Sequence, residues 1–242
     1  KDFEIFIQPQ VTAFSNEVKG GEALVRWKKD GKYMTPSKFI PVLERTGLIS
    51  KLDLYVWQLS CQKLSEWKKN GKEDFYLSIN ISPDDIKNID VYKELCNLIK
   101  KYNISPNNLK LEITESVFAE NKDNLIKLID KLKSKGFSIE IDDFGSGYSS
   151  LNLLKDINLD VVKMDMNFLQ GKENIDKSKI ILSNLVNLCK DLKLTVISEG
   201  VETKEQKDIL DKLGVDFYQG YYFDKPLSIK DFEEKYMEDK NG

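Results

Sequence analysis

The sequence predicts a (β/α)8 barrel with one reversed strand, an α/β fold, and three observations carry that prediction. Strand-like and helix-like hydrophobic periods alternate from about residue 22 to the end. The 242 residues match the roughly 250 of one such barrel. Four apolar runs, LKLEITES, FSIEIDDFG, VVKMDMNF and TVISEGVE, end in carboxylates just before a loop or helix, at the strand C-termini where parallel α/β folds build their sites.

The elements follow in order. EIFIQPQVTA (4–13) and EALVRW (22–27) read as the first two strands. SNEVKGG between them is too short for the dozen or more residues of a parallel crossover, so this pair is predicted to be a hairpin. A long helical stretch runs through FIPVLERTGLI and LDLYVWQLSCQKLSEWKKNG. Strand FYLSINIS (75–82) is followed by helix VYKELCNLIKKY, strand LKLEITE by NLIKLIDKLKSKG, and FSIEIDD by the short helix SSLNLLKDI. VVKMD then leads to IILSNLVNLCKDL, TVISEG to KEQKDILDKLG, and DFYQGYYF to IKDFEEKY, which makes eight strands. Gly71, Gly136 and Gly214 stand where three of these helices stop.

Composition narrows the classes. Hydrophobic residues at 40% and charged residues at 32%, with both signs abundant, describe a globular rather than a disordered chain. No apolar run approaches the roughly 20 residues of a membrane span, so a cytoplasmic domain without direct membrane contact is expected, whether free or part of a membrane-anchored protein. A net charge of -3 gives no bulk attraction to a nucleic acid polymer. Cys61, Cys96 and Cys189 lie far apart and read as buried apolar thiols. No linker divides residues 1–242, so one domain is expected. The start at Lys1, directly before a strand, suits a domain excised from a larger protein.

The carboxylates carry the chemistry. Residues two apart on a strand share a face, so Lys163 with Asp165, Ser78 with Asn80, and Glu22 with Arg26 point together, while Val162, Met164, Ile79, Ala23 and Val25 fit the face under the helices. The polar faces therefore look into the lumen. Buried charges are rarely tolerated unpaired, and packed carboxylates either take up protons or gather a cation. With no histidine in the chain, an oxygen-donor set that includes Asn80 suits Mg2+ or Mn2+ rather than zinc. Asp142 and Asp143 either bridge two ions or split between ligand and base. DFG (143–145) lacks the companion motifs of a kinase, and GSG (145–147) reads as a flexible turn.

QPQ (8–10), EALVRW (22–27), FIPVLERTGLI (39–49), SINIS (78–82), LEITES (111–116), IDDFGSGYSSL (141–151), VVKMD (161–165), SEGVET (198–203) and QGYYF (219–223) together resemble the EAL-domain family of cyclic di-GMP phosphodiesterases over nearly the whole chain. The resemblance implies a barrel with one antiparallel strand and hydrolysis of cyclic di-GMP to linear pGpG by two Mg2+ or Mn2+ ions, with Ca2+ inhibitory. It implies that Glu22, Asn80, Glu112 and Asp142 hold one ion, and that Asp142 with Asp143 serves the second. Glu199 is similar to the residue beside the attacking water, Lys163 to the cation beside that water and the phosphate, and Arg26 to a phosphate clamp. Gln219, Glu202 and Asp165 resemble supporting groups, and Gln8 a nucleotide contact. Glu115 and the loop holding Phe144, Gly145, Ser146 and Gly147 resemble the segment that couples the Asp pair to a homodimer interface. Fused GGDEF or sensory domains are further partners that the family implies.

Two departures stand out. KKDGKYMT replaces the usual His-Pro after RW, and Glu140 occupies a position where the family commonly has a small apolar residue. Glu140 shares parity with Asp142, so it is predicted to face the lumen and to pair with Lys163 or another inward cation in a structural salt bridge. The competing reading is a receptor module that binds cyclic di-GMP without cleaving it; the presence of every candidate ligand favours catalysis. An enzyme of the same fold acting on another dinucleotide is the third reading.

Overall fold

The computed structural model describes residues 2–119, 122–144, 150–165 and 175–238. Eight strands close into the barrel: β1 (Phe3–Thr12), β2 (Val18–Lys29), β4 (Tyr76–Ile81), β5 (Leu109–Thr114), β6 (Ser138–Asp142), β7 (Val161–Asp165), β8 (Thr195–Glu199) and β9 (Phe217–Tyr218). From β2 through β9 each barrel neighbour is parallel, whereas β1 runs antiparallel to both β2 and β9 and closes the ring. The reversed strand is thus the one that the short first connection predicts.

Two short strands were not legible in the sequence. β3 (Lys32–Met34) turns back on β2, and β10 (Leu227–Ser228) pairs with β1. The single helical stretch expected after β2 is two helices, α1 (Pro36–Arg45) and α2 (Ile49–Lys69), separated at Gly47, whose φ of +66° ends the first. The rest of the helical layer is α3 (Pro83–Asn88), α4 (Val91–Tyr102), α5 (Lys122–Lys135), α6 (Ser150–Asp156), α7 (Ile175–Asp191), α8 (Lys204–Leu213) and α9 (Ile229–Tyr236). Gly71, Gly136 and Gly214 take positive φ after α2, α5 and α8, as expected. α8 opens with a capping box between Thr203 and Gln206, α3 with one between Ser82 and Asp85.

Alternation sorts the strands as predicted. Leu77, Ile79, Ile81, Leu109, Leu111, Ile113, Ile139, Ile141, Val162, Met164 and Val196 are buried under the helices. α2 supplies Trp57, Cys61, Leu64 and Trp67 to that layer, and Trp67 stacks on Phe232 of α9. The cysteines are free; Cys61 and Cys189 are buried as read from the sequence, whereas Cys96 is only half-buried. Among the described residues no helix is long and apolar enough to cross a membrane.

Candidate functional site

The lumen-facing positions bring four carboxylates onto one ammonium. Lys163 on β7 is fully buried, and its Nζ lies 2.8 Å from Glu112 on β5, 2.8 Å from Glu199 on β8, 3.2 Å from Glu22 on β2 and 3.7 Å from Asp142 on β6. Strand register explains the gathering: Asn80 pairs with Glu112, Thr114 with Asp142, and Asp165 with Glu199, so the polar positions form adjoining layers at one rim. Asn80 donates from Nδ2 to Glu22 Oε1 at 3.3 Å, and its carbonyl is held by the Trp57 indole at 3.0 Å.

The remaining positions arrange themselves around this cluster. Asp143 follows β6 at φ +55°, a left-handed backbone that turns the chain sharply after the strand. Phe144 is buried and donates its N–H to the Lys163 carbonyl at 3.2 Å, while Glu115 is buried at the end of β5. Gly145, Ser146 and Gly147 lie outside the described residues. Gln219 is buried just past β9, its N–H on the Ser198 carbonyl at 2.8 Å and its side-chain Nε2 on Glu22 Oε2 at 2.7 Å. Gly220 makes this placement possible, since a Cβ there would overlap the backbone of Val201. Gln8 stands opposite Glu22 in the β1–β2 register. Arg26 is half-buried farther along β2, over the Phe6 ring and near Tyr221. Asp165 is half-buried beside Glu199; Glu202 is exposed and outside the buried cluster, its N–H spent on Gln206.

Glu140 is buried in the lumen as its parity predicted, and of the two partners allowed for it the structure selects the second. It pairs with Lys110 at 3.3 Å, not with Lys163. The two sit in adjacent strands beside the cluster, Glu140 being the register neighbour of Glu112. Sequence reasoning also passed over Gln10, Tyr76, Lys110 and Trp57. The parity of Gln10 with Gln8 was the available signal for the first; the contacts of Tyr76 and Lys110 depend on cross-strand register, and that of Trp57 on how α2 packs against β4.

The electrostatics are those of a site with surplus negative charge. Burial alone would lower the Lys163 ammonium, but Glu112, Glu199, Glu22 and Asp142 together hold it well above its ordinary value. Burial, reinforced by the charges of Asp142 and Glu22, pushes Glu199 up to about 8. Burial and then the Glu22 charge raise Glu112 well above the carboxylate range, and burial followed by Asp142 raises Asp143. One ammonium does not balance this set, and the buried Glu112 Oε2 has no hydrogen-bond partner. As they stand, no group of three or more acidic side chains among the described residues is spaced to hold an ion, because the Lys163 ammonium lies among the carboxylates. In composition and charge, however, these oxygen donors fit a hard divalent cation.

A consequence concerns stability without added cation. A folded-state value near 8 for Glu199, against 4.5 for an ordinary glutamate, means that the folded chain binds more protons between those values. Stability is therefore greatest below the unfolded value and is lost as pH rises through the folded one. The loss should be roughly 2–4 kcal/mol between pH 5 and 8.5. Asp53, also raised to about 8 by burial and by Asp85 across the α2–α3 contact, adds slope of the same sign. Urea unfolding at several pH values with and without Mg2+ separates the two contributions, because the cation removes only the part that belongs to the barrel cluster.

Comparison with known proteins agrees with this geometry. The EAL domain family model matches residues 1–226. Among curated relatives, "Probable cyclic di-GMP phosphodiesterase PdeB" of Escherichia coli (strain K12) is 32% identical over 233 residues, 96% of this chain and 44% of the relative. "Probable cyclic di-GMP phosphodiesterase PdeG" of the same organism is 36% identical over 228 residues, 93% of this chain and 45% of the relative. The chain thus spans less than half the length of either protein. The solved structure described as "PaMucR Phosphodiesterase, c-di-GMP complex" superposes with a TM-score of 0.89 at 31% identity, covering 96% of this chain and 94% of that one. An EAL domain protein from Listeria monocytogenes EGD-e superposes at 0.86 with 32% identity, covering 98% and 93%. With the reversed first strand, the strand-end carboxylates and a family model that spans nearly the whole length, the chain belongs to the EAL domain family.

Proposed function

We propose that this chain hydrolyses cyclic di-GMP to linear pGpG, with two divalent cations, Mg2+ or Mn2+, at the rim cluster. The observation that carries the reading is the convergence of Glu22, Glu112, Asp142 and Glu199 on Lys163 from five parallel strands, with Asp142 and Glu199 the last residues of theirs. Glu22, Asn80, Glu112 and Asp142 would hold one ion, and Asp142 with Asp143 the other. Bound there, the ions supply a water of lowered pKa and neutralise charge on the phosphate. Ca2+, with looser coordination, is expected to inhibit.

The side chains account for the remaining steps. Glu199, 2.8 Å from the Lys163 ammonium, would serve as the base toward the attacking water once bound cations return it to its ionised form. Lys163 Nζ, 2.8 Å from Glu199, orients that carboxylate and offers positive charge to the phosphate oxygens. Arg26, half-buried at the rim, clamps a non-bridging oxygen as a planar donor fork. Gln8, Gln219, Asp165 and Glu202 support the nucleotide and its ligands, and Glu115 with residues 144–147 transmits the state of a homodimer interface to the Asp pair. Residues 1–242 are read as one such domain acting in the cytoplasm; the greater length of the curated relatives, of which it spans 44% and 45%, supports fused GGDEF or sensory domains as its partners.

The test is incubation of the chain with cyclic di-GMP and Mg2+ or Mn2+, followed by chromatography. Appearance of pGpG, abolished by EDTA, is expected. Tight binding with no product would favour the receptor reading instead.

A further inference from the structure

From the Glu22 carboxylate a row of polar side chains runs through the lumen, and two of its members, Gln10 and Tyr76, have no part in the proposed catalysis. Tyr76 on β4 donates its hydroxyl to Gln10 Oε1 at 2.8 Å. Gln10 on β1 donates from Nε2 to Gln219 Oε1 at 3.0 Å, and Gln219 donates from Nε2 to Glu22 Oε2 at 2.7 Å. Tyr76, Gln10, Gln219 and Glu22 are all buried. From these contacts we infer that Gln10 and Tyr76 are positioning residues, which fix the amide of Gln219 and through it the orientation of the Glu22 carboxylate. The inference rests on Glu22 being a cation ligand, as proposed above.

The backbone explains how the row is built. Gln10, Gly20 and Tyr76 are register neighbours on three adjacent strands, β1, β2 and β4. Gly20 is the middle member, and its missing side chain is the space the tyrosine ring crosses: a Cβ there would overlap the Tyr76 carbonyl and lie 2.7 Å from its ring. Only a glycine between them lets a hydroxyl on β4 reach an amide on β1. From the lower side the ring is held by the Lys110 ammonium, 3.5 Å from its centroid, and Lys110 is in turn anchored by Glu140. The unusual Glu140 therefore has a structural purpose at the base of the row.

The donation runs in one direction, and chemistry sets that direction. A carboxylate only accepts, so Gln219 must present its NH2 to Glu22. That leaves the Gln219 carbonyl facing Gln10, which must then present its own NH2, and the Gln10 carbonyl is left for the Tyr76 hydroxyl. Reversing any amide would put a carbonyl against a carboxylate or against another carbonyl in a buried place, which costs a hydrogen bond and adds repulsion. The row thus holds Glu22 Oε2 from below while Asn80 and Lys163 hold the carboxylate from the sides.

The experiment is Mn2+ affinity of the nucleotide-free chain, read by electron paramagnetic resonance, for the wild type, Gln10→Met, Tyr76→Phe and the double variant, with melting temperatures beside them. Partners that orient a ligand typically govern about tenfold or more of metal affinity. Gln10→Met should therefore weaken Mn2+ binding about tenfold and Tyr76→Phe about threefold. The double variant should be no weaker than Gln10→Met alone, because once Gln10 is gone the hydroxyl has nothing to direct. Loss of packing alone would move the melting temperature and give additive effects. If Gln10→Met does not fold, the shift in Tyr76→Phe, which keeps the ring and its cation contact, decides the matter. Affinities within twofold of wild type, or additive losses, overturn the inference while leaving the cation site standing. No Mn2+ binding by the wild-type chain overturns the cation site, and this inference with it.

Discussion

Replacing Glu22 by Ala is expected to lower cyclic di-GMP turnover by about 10³-fold or more, on the order of 4 kcal/mol of transition-state stabilisation, while leaving the fold intact. The asymmetry comes from the contacts. Glu22 meets Asn80, Lys163 and Gln219 together. Removing it takes away a proposed oxygen ligand and the acceptor of the Gln219 amide. Lys163 nevertheless keeps Glu112 and Glu199 at 2.8 Å, so no buried charge is stranded. Nucleotide affinity, which the proposal assigns largely to Arg26, should fall far less than turnover. Steady-state kinetics beside equilibrium binding would check this, and equal turnover by the variant would sink the assignment of Glu22.

Lys163→Met should act on stability as strongly as on activity. The methionine fills a similar volume but removes the ammonium that four carboxylates share. Stranding buried charge costs about 3–5 kcal/mol, and that cost belongs to the ionised carboxylates. Glu112 and Glu199, already raised with the ammonium present, would climb further without it. The variant should therefore be strongly destabilised at pH 8, much less so at pH 5 where these groups carry protons, and rescued by Mg2+ more than the wild type is. Urea unfolding at both pH values, with and without the ion, reads all three effects. A destabilisation equal at pH 5 and pH 8 would mean that lost packing, not lost charge, is responsible. Turnover should be abolished even where Mg2+ restores the fold, because Lys163 is also the cation beside Glu199.

The sequence was informative where the physics is local and reticent where it depends on register. The two-residue period of VVKMD and LKLEITE was enough to turn Lys163 and Glu112 inward, and the short connection after β1 was enough to reverse that strand. Parity also placed Glu140 in the lumen. Its partner was not legible, because Lys110 reaches it across a β5–β6 register that no single strand specifies. The same reason hid the row from Tyr76 to Glu22, which crosses Gly20 between two other strands. Short edge pairings such as β3 and β10 left no periodic signal, since two or three residues are too few to show one. The position of Glu202 was likewise not legible: its side chain is exposed and its N–H joins the start of α8 through Gln206.

The most direct measurement of the central claim is turnover of cyclic di-GMP by this chain in ¹⁸O-labelled water with Mg2+ or Mn2+, followed by mass spectrometry of the product. The expected result is linear pGpG with a single ¹⁸O on its 5′-phosphate, formed only when the divalent ion is present: water attacks phosphorus and the 3′ oxygen leaves. Recovery of intact, unlabelled cyclic di-GMP from a chain that binds both nucleotide and ion would contradict it, and would leave the carboxylate cluster around Lys163 as a binding site without hydrolytic chemistry.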